Sequence, residues 1–218
     1  MKVVAQSFSW PFRGDWKSKW IVGLAAVLLL PIAFIPLLGY AVAATRQAEL
    51  DPATGPPRWK LSGRLLTDGF WTALAVLLFT APFVFSLNPL AGWLFDAHVF
   101  RGSDVPVSQL YAHAVALFAL ALPWGLLLLL HMPHATARFA HSGRAVDQFD
   151  LPASIRAVRS DFTTWNIAAA AIVTGWAIGL ACVGLVCIGL VPGVFYAILV
   201  SAHASAALYH QDSNTPAR

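Results

Sequence analysis

Apolar residues along this chain gather into five runs, at 20–44, 67–87, 109–130, 165–187 and 191–209. A bilayer core of ~30 Å needs ~20 consecutive apolar residues per spanning helix, and these runs are about that long. No Lys or Arg lies between Arg64 and Arg101, between Arg101 and Arg138, or between Arg159 and Arg218. No Asp or Glu lies between Asp104 and Asp147. The pattern predicts an all-α integral membrane protein in a single membrane domain over 1–218. It has about four transmembrane helices, an N-terminal proline-broken segment and interfacial amphipathic helices.

The first run differs from the rest. Pro31 and Pro36 fall in its middle, and each removes an amide donor and crowds the preceding turn. Residues 20–44 are therefore either a kinked span or a re-entrant hairpin. The run from Ile21 to Leu38 is also longer than the apolar region of a cleaved signal peptide, so it is expected to be retained.

Between the runs the pattern changes character. Residues 1–19 are aromatic and basic, and Asp15 is a start signal for a helix from Trp16. Trp16 and Trp20 then share a face and read as interface anchors, as do Trp71 and Trp165. Residues 45–66 form a polar loop broken by Pro52, Gly55, Pro56 and Pro57. Asp68 reads as the start of the second run. Residues 88–108, with Asn88-Pro89, Arg101-Gly102 and Pro106, read as a loop holding a short interfacial helix near Trp93 and Phe95. Asp150 and Pro152 open a helix over 150–162 whose stripe is Leu151, Ile155, Val158 and Phe162. Arg156 and Arg159 lie off that stripe and anchor it at the interface. A short helix packed on its own protein gives the same pattern. Residues 163–209 hold two spans, with Gly189, Pro192 and Gly193 supplying the break.

One segment echoes another. Trp20-x-x-Gly23-Leu24-Ala25-x-Val27 recurs as Trp176-x-x-Gly179-Leu180-Ala181-x-Val183. The same offset relates Pro36 to Pro192 and Tyr40 to Tyr196. Internal repeats mark many transporters, while the shared Ala, Leu, Val and Gly composition of both segments offers a simpler origin.

Charge then sets the expected sidedness. Of the residues, 58% are hydrophobic and 11% charged, with a net charge of +4. The basic residues flank apolar runs, which points to anionic lipid and not to nucleic acid. Cytoplasmic loops collect Lys and Arg. If 20–44 spans the bilayer, the best orientation puts nine basic residues inside and five outside. If 20–44 is a hairpin, the division is thirteen to one. The hairpin is the expectation, with both termini and residues 45–66 cytoplasmic in a multi-pass protein of the cell membrane.

Candidate chemistry is sparse. Cys182 and Cys187 are five residues apart in an apolar run, too far along a helix for a disulfide, and read as buried thiols. No Gly-rich phosphate loop, His-Glu-x-x-His or Gly-x-Ser-x-Gly motif occurs, so no catalytic residue, cofactor or metal is expected. His131, His134 and His203 form a possible interfacial cluster, with His141 and His210 nearby. Imidazoles there could ligate a metal, but interfacial histidine is also satisfied by headgroups or water.

The Trp20–Tyr40 run with its two prolines, Pro57-x-Trp59 before Asp68-Gly69-Phe70, and Pro133-x-Ala135-x-x-Arg138-Phe139-Ala140 together carry a resemblance. In that order, continuing through Leu151–Asn166 to Tyr209, the chain resembles the prokaryotic membrane family called domain of unknown function 4013. The resemblance implies a multi-helix membrane domain and no particular activity. Two functions follow from the residues. The first is a non-enzymatic membrane-organising or complex-associated module, whose partners are the bilayer and other membrane proteins. The second is a transporter or channel-like protein for a neutral or amphiphilic substrate.

Overall fold

The computed structural model describes residues 2–97, 105–182 and 189–212. Arg101, Gly102, Cys187 and part of the expected 88–108 loop lie outside the described residues, as do the side chain of His210 and the turn beyond Cys182. The elements are α1 (Lys2–Ser9), α2 (Trp16–Leu28), α3 (Leu30–Leu50), α4 (Gly63–Asp96), α5 (Val105–Ser142), α6 (Leu151–Ser160), α7 (Phe162–Ala181) and α8 (Leu190–Asp212). Short 3-10 turns occupy Trp10–Phe12 and Ala145–Gln148. Among the described residues there is no strand. Four helices are long and apolar enough to cross a membrane: Gly63–Asp96, Pro106–Ser142, Phe162–Ala181 and Leu190–Tyr209. The protein is an all-α membrane protein.

Helices α4 and α5 are longer than the sequence reading allowed. The expected loop at 88–96 is helix, and Pro82 and Pro89 lie inside α4. Trp93 and Phe95 therefore belong to α4 and not to a separate interfacial helix. Likewise residues 131–142, beyond the apolar run at 109–130, continue α5. In lipid a chain that leaves the helix strands its backbone polar groups, so a proline is accommodated within the helix and does not end it. The 34 and 38 residues of α4 and α5 are more than the ~20 that cross a ~30 Å apolar core.

The chain forms two compact units, one of residues up to Ala73 with those from Leu130 on, the other Leu74–Leu129. Within the second, Trp124 Nε1 donates to Thr80 Oγ1 at 3.2 Å, and large apolar side chains such as Phe85 and Phe118 are exposed. Within the first, the proline-broken segment doubles back at Leu29. Trp20 on α2 and Tyr40 on α3 both contact Phe195 of α8, at ring separations of 5.5 and 6.0 Å. A straight helix would hold residues 20 and 40 ~30 Å apart. Arg13 Nη1 donates to Pro52 O at 2.8 Å, which joins the two flanks of the segment. Residues 20–44 are a helical hairpin and not a kinked rod.

Glycines set the close crossings. A Cβ on Gly39 would stand 1.9 Å from Leu65 O, and one on Gly69 2.0 Å from Ile35 O, so α3 and α4 meet backbone to backbone. Gly179 and Gly193 join α7 to α8 in the same way, at 2.6 and 2.4 Å. Gly193 and Pro192, expected in the break, thus lie inside the first turns of α8.

Candidate functional site

The polar side chains of the first unit gather where α3 ends, α4 begins, and α5 and α6 meet. Ser62 caps α4, its Oγ accepting from Leu65 N at 3.2 Å. Asp68, read as a start signal, stands in the second turn of α4 and is buried. Its carboxylate accepts from Arg46 Nη2 at 3.1 Å, and Arg46 Nε donates to Ala140 O at 2.7 Å. One turn on, Thr72 Oγ1 donates to Asp68 O at 2.9 Å and accepts from Gln148 Nε2 at 2.9 Å.

His131 extends this relay. Its Nε2 lies 2.9 Å from Gln148 O and its Nδ1 3.0 Å from Ser154 Oγ. A carbonyl only accepts, so Nε2 carries a proton; in the neutral ring Nδ1 then accepts from the serine hydroxyl. Arg138, two turns along α5, donates to Asp150 O at 3.0 Å and Ser154 Oγ at 3.1 Å. The buried face of α6 is Ser154 and Val158, so this helix packs on its own protein. Asp150 caps it by accepting from Ala153 N at 2.9 Å. Arg156 and Arg159 are exposed, and Phe162 belongs to α7.

A second group surrounds the N-terminus. Trp59 stacks on Tyr40 at 3.9 Å with the planes 4° apart, and its Nε1 donates to Lys19 O at 3.1 Å. Trp20 Nε1 donates to Pro11 O at 3.0 Å, and Trp16 meets Trp20 edge-on at 6.4 Å. Asp15 precedes α2 but makes no side-chain cap. Lys19 is buried beside these rings, and desolvation pushes its ammonium below the usual lysine range, opposed by Asp15. His203 binds Ser7 Oγ through Nδ1 at 2.8 Å and lies against Trp10.

The three candidate histidines thus have different surroundings: His131 and His134 stand one turn apart on α5, while His203 serves the N-terminal group on α8. Among the described residues no group of three or more His, Cys, Asp or Glu could hold a metal. Of the other expected anchors, Trp71 packs on the cluster of Val42, Phe139 and Ala140, and the Trp165 ring lies 5.5 Å from that of Phe162. Sequence reasoning missed Arg46, Thr72, Gln148 and Ser154. Their polarity near apolar run ends was the only signal, because the partners that tie them to other elements are distant in sequence.

Four long apolar helices, a helical hairpin and a hydrogen-bonded polar layer at helix ends define a helical multi-pass membrane protein. Over residues 22–200 the chain matches the family described as protein of unknown function (DUF4013), and it belongs to that family. The resemblance read from its motifs is borne out. Neither a curated protein nor a solved structure matches the chain.

Proposed function

We propose that this protein is a non-enzymatic module of the cell membrane that organises lipid or a larger membrane complex from the cytoplasmic face. The observation carrying this reading is how its buried polar side chains are used. Arg46, Asp68, Thr72, Gln148, His131, Ser154 and Arg138 bond to one another or to backbone carbonyls. Such a relay fastens helix ends and fixes their arrangement. The apolar windows of α4 and α5 are only 17% and 11% buried, which offers long faces to lipid or to a partner's helices. The hairpin brings the basic residues of 1–19 and 45–66 to one side, and that favours a cytoplasmic position.

Transport of a neutral or amphiphilic solute is the competing reading, favoured by Pro36, Pro82 and Pro89 inside helices, since broken helices line many transport sites. Reconstitution into sealed vesicles with an imposed proton or sodium gradient separates the two. Neutral solutes added outside are expected to enter no faster than in protein-free vesicles, read by light scattering as the shrunken vesicles re-swell, and a pH- or sodium-sensitive dye inside should report the same gradient decay in both. Solute entry or solute-triggered gradient collapse that requires the protein would establish transport.

A further inference from the structure

We propose that the cleft between the end of α3, the 51–62 loop and the first turns of α4 binds a phosphate-bearing anion. Its resident ligand is the headgroup of an anionic phospholipid. The proposal rests on the membrane-module reading and gives that module a ligand.

The cleft has a volume of about 150 Å³. A cavity of roughly that size holds a benzene-sized molecule, and a phosphate group is no larger. Arg46, Arg58, Lys60 and Arg64 line it, against the single carboxylate of Asp68. That carboxylate already serves two of the cations, with Arg46 Nη2 at 3.1 Å and Arg64 Nε at 4.0 Å. Among the described residues neither Arg58 nor Lys60 forms an ion pair. Arg46 is held by Ala140 O as well as by Asp68, so its guanidinium is fixed before any ligand arrives. Ser62 Oγ accepts from Leu65 N, and its hydroxyl proton is left to donate into the cleft. Like charges held together repel, and a bound anion removes that cost while accepting charge-assisted hydrogen bonds.

The position favours a lipid over a soluble anion. Arg64, Leu65 and Asp68 belong to the first two turns of α4, a candidate span. Cations at the start of a span lie at headgroup depth. Tyr40, Ala43 and Leu65 give the same cleft an apolar wall, suited to the glycerol end of a phospholipid.

The test titrates the purified full chain in neutral detergent with phosphatidylglycerol, followed by native mass spectrometry, with phosphatidylcholine as the neutral control. One phosphatidylglycerol is expected to bind ahead of the rest. R58Q/K60Q, changed only at exposed side chains, should bind it ~10-fold more weakly or worse, the effect of losing hydrogen bonds to a charged group. R156Q/R159Q, which removes an equal exposed charge elsewhere, should bind like the wild type. Equal weakening in both variants overturns the site, as does equal binding of the two lipids when phosphate does not bind either. Inorganic phosphate at millimolar concentration should displace the bound lipid only weakly. Phosphate that binds wild type but not R58Q/K60Q, with no preferred lipid, would keep the anion site and overturn the lipid assignment. This experiment reads occupancy and the gradient experiment reads transport, so each can fail without the other.

Discussion

The hairpins α2–α3 and α7–α8 share a sequence echo yet close by different means. The second closes on itself, with Gly179 and Gly193 in backbone contact. The first closes around an outsider. Phe195 of α8 touches Trp20, Tyr40 and Trp59, and Gly23 leaves room for its ring. Gly39 in turn faces α4 and not α2. What the echo does preserve is the tyrosine. Tyr40 OH donates to Pro57 O at 3.0 Å and Tyr196 OH to Phe8 O at 3.2 Å, so in each hairpin the second helix pins a preceding or following polar segment. A repeated pattern of small and aromatic residues can therefore specify two helical hairpins without specifying one packing.

The largest expected effect separates the two closures. Phe195 is fully buried, and Phe195→Ala should cost about 3–5 kcal/mol, the range for a lost core aromatic ring. Hydrogen exchange should quicken over α2 and residues 55–60 while the middle of α7 stays protected. Gly179→Leu places a side chain where a backbone carbonyl stands and should cost about 3 kcal/mol, with faster exchange along α7 and α8. Denaturant titration in detergent gives the energies. If both variants loosen the same segments, the two hairpins form one cooperative packing and the contrast fails.

Much of this architecture was legible in the sequence, for reasons that also explain the errors. The charge-free windows marked the four long helices because lipid tolerates little else. The two prolines and the thirteen-to-one division of basic residues pointed to the hairpin. The end of α4 was misplaced because Asn88-Pro89 is a stop signal in water and not in lipid, and that of α5 because the stretch after Leu130 keeps its helix by packing on α3 and α6. The candidate site was far less visible. Nothing local to Asp68 names Arg46, and nothing local to His131 names Gln148 or Ser154. The aromatic stack was half visible, since Pro57-x-Trp59 stood out as a motif while its receptor, Tyr40, lay in an apolar run.

A smaller effect tests the shared tyrosine role. Tyr40→Phe removes a hydroxyl from a well-buried ring and leaves Pro57 O without its donor. A cost of about 1–1.5 kcal/mol is expected. Tyr196→Phe should cost less, because its bond to Phe8 O is longer and its ring less buried. A double variant whose losses simply add would mean the two pins act independently. Losses that exceed the sum would show that the N-terminal segment and the 51–62 loop hold each other in place.

The smallest effect concerns where the second hairpin begins. Asp161 separates α6 from α7 and caps α7, its Oδ1 accepting from Thr164 N at 3.0 Å. That bonding to Thr164 holds its carboxyl below the ordinary value of 3.8. A carboxyl held low in the folded state adds stability that is complete above its unfolded pKa and disappears as the pH falls through the folded one. Asp161→Ala should therefore cost about 1 kcal/mol near neutral pH, the usual loss for a helix N-cap. The gap between the variant and wild type should narrow below the ordinary carboxylate value, because the wild type alone loses its cap there. Asp161→Asn keeps an acceptor without a titrating proton, so its difference in stability from Asp161→Ala should be flat across the same range. Unfolding midpoints for the three proteins between pH 7 and pH 3 decide it. A gap between wild type and alanine variant that stays constant down to the lowest pH would remove Asp161 as the titrating cap and leave α7 to be positioned by its packing on neighbouring helices.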